Sequence, residues 1–203
     1  FYSFQNPEKE QAVKFCLRNM EDASQRFPDL FQTIANLEFV STKSGACKTP
    51  KCLLSNTDEV IEKVFHDLDK VPIGTFASET YHSIMRKLGL RGIEAITQEE
   101  LTMAANHASS LYEHYPEKAY PYASNLVDLV KNIEIGKQQS LLEQTASISW
   151  LPVVRERPKG YPNQIAWAAS AGLPVAPRDA VGVQFAELCG SVLPCTPIHP
   201  HSD

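Results

Sequence analysis

The chain has 203 residues, 43% of them hydrophobic and 21% charged, with a formal net charge of -5. That length carries a core needing no covalent staple, and the mild acidity argues against a broad nucleic-acid footprint. Its longest apolar runs are about five residues, far below the roughly 20 a membrane helix needs, so neither membrane insertion nor a nucleic-acid partner is expected. The five cysteines (Cys16, Cys47, Cys52, Cys189 and Cys195) are an odd set in a chain of this size, which points to reduced thiols in a cytoplasmic setting. The N-terminus begins FYSFQNPEKEQ, without a starting Met, a basic region or an apolar signal core. It reads as a piece of a longer chain, with any targeting signal lying outside it.

Taken in order, Asn6-Pro7 reads as a helix start, with Val13, Cys16, Leu17 and Met20 at helical spacing and Phe27-Pro28 as the break. LEFVST, within 37–42, is the expected first strand, turning at Lys43-Ser44-Gly45. Asn56 with Glu59 is expected as a capping box for a helix carrying Val60, Ile61, Val64, Phe65 and Leu68. After Pro72 and Gly74 comes a helix with Tyr81, Ile84, Met85 and Leu88 on one face. Gly89 and Gly92 read as helix C-caps. Thr97 with Glu100 is the clearest capping box. It opens a helix whose Leu101, Ala104, Ala108, Leu111 and Tyr115 are spaced for burial. YPYAS is expected to lead into a further helix with Leu126, Leu129, Val130 and Ile133 facing one way, and KQQSLLEQTASI follows.

At Ile148 the texture changes. ISWLPVV reads as a strand that could pair with the one around Phe39, and eight of the fourteen prolines lie from Pro152 onward. Trp150, Trp167, Phe185 and Leu188 supply apolar anchors that a disordered tail would lack. The expected fold is α+β, mostly α-helical with a few short strands and a proline-rich C-terminal segment. Residues 1–148 form the helical region, 149–203 pack on it, and the whole is one structural unit.

The chemistry was sought in spacing. Cys47 and Cys52 have four residues between them, at the edge of the zinc range, and with Cys195 and His199 would make a four-ligand set. Pro50, Pro194, Pro197 and Pro200 stiffen both loops, and neither carries a glycine-rich knuckle. The favoured reading of CKTPKC is a surface loop with one or two exposed thiols, and the zinc module is the alternative. His66 and His82 sit on helices. His107 and His114 are seven residues apart, too far for a shared metal, and read as surface or flank residues. No G-x-S-x-G elbow or phosphate-binding glycine loop occurs. The acidic pairs Glu99-Glu100 and Asp67/Asp69 fall on helix starts or solvated faces. Arg155, Arg157 and Lys159 form a small basic patch, a possible surface for an acidic partner. No nucleophile, base and electrophile come together in this pattern, so a binding role is expected rather than an enzyme.

Three stretches, in this order, carry a resemblance: LEFVSTKSGACKTPKCLLSNTDEVIEKVFHDL, FASETYHSIMRKLGLRGIEAITQEELTMAANHASSL, and ISWLPVVRERPKGYP continuing to APRDAVGVQFAELCGSVLP. Together they resemble the large internal repeats of the sacsin family over most of the chain, through order and spacing rather than any single residue. The resemblance implies a helical region following an ATP-binding domain similar to that of the ninety-kilodalton heat-shock chaperones. No Asp-x-Gly step or glycine-rich lid is present, so no ATP-binding residue is carried over and no cofactor is expected. It further implies a non-catalytic scaffold or interaction module of a cytoplasmic chaperone-like protein. Such a module would couple an ATPase domain to client or inter-repeat contacts in protein folding and quality control. The partners it implies are other segments of the same long chain, clients, and heat-shock chaperones. For the whole protein it implies links to neurofilament organisation and mitochondria.

Overall fold

A computed structural model describes residues 6–19, 25–27, 29–153, 174–179, 181–182 and 195–196. The fold is mostly α-helical with a few short strands, and it divides into two compact units, unit 1 up to Ile96 and unit 2 from Thr97.

In unit 1, α1 runs Asn6–Arg18 and buries Val13 and Leu17, with Cys16 half-buried against the same core. It ends at Arg18, not at Phe27-Pro28. The Asn19 side-chain amide donates to the Phe15 carbonyl at 2.8 Å and closes the last turn. Helix α2 (Leu30–Ala35) leads to a hairpin of β1 (Val40–Ser41) and β2 (Cys47–Lys48), with Val40 opposite Lys48 and Ser41 opposite Cys47. Gly45 supplies the turn's positive φ of 83°, and its N–H donates to the Thr42 carbonyl at 2.9 Å. A 3₁₀ turn (Pro50–Cys52) then delivers Leu53 and Leu54 to the core.

Helix α3 (Glu59–Phe65) buries Ile61, Val64 and Phe65. Its cap is Asp58, whose carboxylate accepts from the N–H groups of Val60 at 2.9 Å and Ile61 at 3.4 Å. The expected Asn56/Glu59 box does not form. Asn56 instead donates to the Ala77 carbonyl at 3.1 Å, a bond to the 3₁₀ turn Gly74–Ala77 that local spacing cannot reveal. Helix α4 (Glu79–Lys87) buries Tyr81 and Met85 and packs Ile84 against the same core.

Helix α4 closes in a Schellman motif. The Leu90 N–H donates to Met85 (2.9 Å) and the Gly89 N–H to Arg86 (3.1 Å), with Gly89 at φ 100°. Gly92 is no second C-cap. It has extended backbone and precedes the 3₁₀ turn Ile93–Ala95. A Cβ on Gly89 would lie 3.3 Å from the Lys51 Cβ as well as being strained by φ. Gly89→Ala is therefore expected to destabilise unit 1 by about 1–2 kcal/mol in urea denaturation.

Asp69 adopts a positive φ, 55°, and its carboxylate accepts the Ser44 N–H at 2.8 Å. Lys43 pairs with Asp67, and the Lys48 ammonium donates to the Asp69 carbonyl at 2.7 Å. These acids are not merely solvated. They tie the hairpin to the turn after α3. The Ser44 hydroxyl, then its N–H, hold the Asp69 carboxyl below its usual range. A depressed folded pKa stabilises above the unfolded value of about 3.9, and that contribution is lost as pH falls through the folded value. Asp69→Asn keeps the left-handed backbone and loses the charge. Its melting temperature is expected to lie below wild type at pH 6, and the gap should close toward pH 3.

In unit 2, α5 (Gln98–His114) opens with the anticipated Thr97/Glu100 box. The Glu100 N–H donates to the Thr97 hydroxyl at 3.3 Å, and the Thr97 N–H donates back to the Glu100 carboxylate at 3.1 Å. Leu101, Ala104, Ala105 and Ala108 are buried and Leu111 half-buried, but Tyr115 is 54% exposed. It follows the helix with φ −143° and joins α5 to α6. Helix α6 (Pro116–Lys131) includes YPYAS instead of following it. Pro121 lies inside the helix, and it and Glu117, whose carbonyl its missing N–H would have reached, are both exposed residues. Ala104 and Ala108 on α5 and Ala119 and Ala123 on α6 are small and fully buried where these packed helices approach. Helix α7 (Ile135–Gln144) buries Leu141 and Leu142.

Strand β3 (Leu151–Pro152) packs on α6 and pairs antiparallel with β4 (Pro174–Val175), while β5 (Val181–Gly182) pairs parallel with β6 (Cys195–Thr196). A pairing of the Phe39 and Trp150 strands is thus replaced by two local ones. Trp150 is fully buried. Its indole N–H donates to the Thr145 hydroxyl at 2.8 Å, which donates to the Leu141 carbonyl at 2.7 Å. Trp167, Phe185 and Leu188 lie outside the described residues.

Candidate functional site

The CKTPKC stretch is a strand followed by a 3₁₀ turn. Cys47 is half-buried, with its sulfur 3.9 Å from the Ser41 hydroxyl, and Cys52 is exposed and accepts from the Thr49 hydroxyl at 3.2 Å. Neither forms a disulfide. Among the described residues no group of three or more His, Cys, Asp or Glu side chains is placed to hold a metal ion. The side chains of Cys195 and His199, needed for the four-ligand set with Cys47 and Cys52, lie outside the described residues. The basic patch of Arg155, Arg157 and Lys159 lies outside them too.

The histidines divide by environment. His114 is exposed beside Tyr115, with ring centroids 6.5 Å apart, as a flank residue would be. His107 is half-buried and meets Tyr122 edge-on at 4.9 Å, joining α5 to α6. His82 shares a 2.8 Å hydrogen bond with the Ser55 hydroxyl, a contact the sequence did not announce because 27 positions separate the two. Ser55 is 4% exposed, and its oxygen also meets the Thr57 hydroxyl at 2.9 Å. A hydroxyl so enclosed cannot receive a substrate carbonyl without local opening. The geometry instead clasps α4 to the segment before α3.

A cleft of about 660 Å³ lies between α1 and α4 in unit 1. Helix α1 contributes Lys14, Leu17 and Arg18, neighbours at i, i+3 and i+4. Helix α4 contributes Thr80, Ser83, Ile84 and Lys87, again one face of a helix. Leu17 is buried and Phe31 and Ile84 half-buried, so the floor is apolar, while Arg18, Thr80, Ser83 and Lys87 stand exposed at the rim. Tyr81 and Thr75 complete the wall.

The electrostatics of the rim are uneven. Lys14 is spent on Glu10, 2.6 Å away, and that ammonium, followed by the Thr75 hydroxyl, holds the Glu10 carboxyl below its usual range. Arg18 and Lys87 form no ion pair with a described residue. They leave local positive charge on a chain whose net charge is -5. Each lies in the last turn of its helix, where the carbonyl ends favour a cation. The meeting of the two faces was not readable from sequence, because it depends on how α1 docks on the core. The cleft's form, apolar below and basic above, suits a ligand that brings both kinds of group.

The chain is 24% identical over 204 residues to human sacsin, a match that covers 96% of this chain and 4% of sacsin's length. No protein-family model matches the chain. No solved structure matches it either.

Proposed function

We propose that this chain is a non-catalytic interaction module of a sacsin-like, chaperone-type protein, offering surface to clients or to neighbouring repeats beside an ATP-binding domain. The observation that carries this reading is the similarity to human sacsin across 96% of the chain. The local structure supports it. Capped amphipathic helices give a stiff frame, and the cleft between α1 and α4 is lined by charge and apolar surface in the mixture that peptide recognition uses. No helix among the described residues is long and apolar enough to cross a membrane, which agrees with a module acting in water.

The test follows light scattering from a thermally unfolding reporter protein, with the purified chain added and without nucleotide. Phosphate release on adding ATP is measured alongside. Slowed aggregation at near-stoichiometric ratios, with phosphate release at the buffer rate, is the expected result. Unchanged aggregation at excess chain, or sustained ATP hydrolysis, overturns the reading. Zinc near one equivalent in the purified protein, with Cys47, Cys52 and Cys195 protected from thiol reagent, would favour a zinc-binding interaction module using those thiols and His199.

A further inference from the structure

We propose that the α1–α4 cleft of unit 1 receives an acidic peptide segment punctuated by a bulky apolar side chain. The inference deepens the interaction-module reading and rests on it for its biological sense, though the binding can be measured independently. Three observations converge. The first is charge. Arg18 and Lys87 project from opposite walls without a described carboxylate partner, while the chain as a whole is acidic. A local field of this sign attracts carboxylates, and the surrounding negative charge repels them elsewhere.

The second is the floor. Phe31 and Ile84 leave half-covered apolar surface in the same cleft as the cations, with Leu17 buried behind it. A small inorganic anion would satisfy the rim and leave that floor wet. A peptide carrying Leu or Phe next to Asp or Glu would cover both. The third is the row of hydroxyls. Thr80 and Ser83 are exposed along one wall and Thr75 lies on another. Thr80 and Ser83 can donate to or accept from a peptide backbone, and Thr75, whose proton serves Glu10, can accept, which fixes orientation without demanding a particular side chain. A cleft of about 660 Å³ admits a few residues, not a folded domain.

The carbonyl ends of α1 and α4 point the other way electrostatically and offset part of the cationic field. Binding is therefore expected to be weak, salt-sensitive and tolerant of sequence, as suits a site that handles many segments.

The experiment is fluorescence anisotropy on the full 203-residue chain. The probe is a fluorescein-labelled peptide alternating Asp/Glu with Leu/Phe. Saturable binding is expected, weakening as ionic strength rises from about 0.05 to about 0.3 M. Replacing its acids by Asn and Gln, or its apolar residues by Ala, should each weaken it. Arg18→Glu with Lys87→Glu should weaken binding by about tenfold or more, and a Lys/Arg version of the peptide should then bind the variant. Both side chains are exposed, so the fold should hold, with a modest fall in melting temperature because each reversal places an anion at a helix C-terminus. If the fold does not hold, Arg18→Gln with Lys87→Gln replaces the pair.

No binding, or equal binding by the charge-reversed variant, overturns the proposal. So does displacement by millimolar inorganic phosphate with no effect of the Leu/Phe replacements, which would make the cleft an anion site. If the wild-type chain suppresses reporter aggregation but does not bind the peptide, this inference falls and the interaction-module reading stands. Peptide binding without suppression has the opposite meaning.

Discussion

Trp150→Ala is expected to cost unit 2 about 3–5 kcal/mol, the largest single effect foreseen for that unit. The side chain is the largest fully buried one among the described residues, and its neighbours Leu151 and Val153 are also fully buried. The substitution leaves a large void and removes the donor that engages Thr145. Part of that loss can be isolated. Thr145→Val keeps the volume and leaves the indole N–H without its acceptor, at a cost of about 1–3 kcal/mol. In a Trp150→Phe background the same valine should cost much less, because no indole N–H remains to be stranded. Circular-dichroism urea curves measure all four proteins. A loss below about 1 kcal/mol for Trp150→Ala would contradict the buried indole and its hydrogen bonds.

Phe76→Ala is expected to have a similar effect on unit 1, about 3–5 kcal/mol. Phe76 is 3% exposed and sits between two rings, Phe39 at 4.9 Å and Tyr81 at 5.4 Å, both edge-on. Such pairs add about 0.5–1.5 kcal/mol each beyond area, so Phe76→Leu should recover the volume but not all of the stability. Tyr81 also lines the cleft, so Phe76→Ala should weaken peptide binding through the fold. The rim substitutions at Arg18 and Lys87 should weaken it far more than their modest effect on melting accounts for. That contrast separates a residue that supports the site from one that meets its ligand.

How far the sequence could be read depended on the range of the interactions involved. Apolar stripes on α3, α4 and α6 were legible because burial of Ile61, Met85 or Leu126 follows helical periodicity alone. The Thr97/Glu100 box and the Gly89 terminus were legible because each closes within about five residues. Asn56 was misread because Asp58 is an equally good cap two positions later and Ala77 offers Asn56 a distant partner. Tyr115 matched the buried spacing, yet α5 ends before it. Pro121 looked like a boundary, but it lies inside α6 at an exposed position.

The strand near Phe39 was placed correctly, as was its turn, but its partner was not. Two-residue strands carry almost no alternation, so the pairing depends on the turn that follows, and here that turn returns the chain to Cys47. Among the described residues, the last α-helix of unit 2 ends at Gln144, shortly before the change of texture at Ile148, while the division between compact units falls at Thr97. The candidate site was the least legible feature. Leu17 and Ile84 read as core in one dimension, and nothing in the local pattern singles out Arg18 or Lys87. Only the docking of α1 beside α4 makes them the floor and rim of one cleft.

Hydrogen exchange on the full chain, with and without the unfolding reporter protein, tests the central claim most directly. The account predicts added protection concentrated on residues 14–19 and 80–87, the two walls of the cleft, and its loss in the Arg18→Glu, Lys87→Glu protein. Protection absent from those segments while the reporter is bound, or unchanged by the charge reversal, would contradict it.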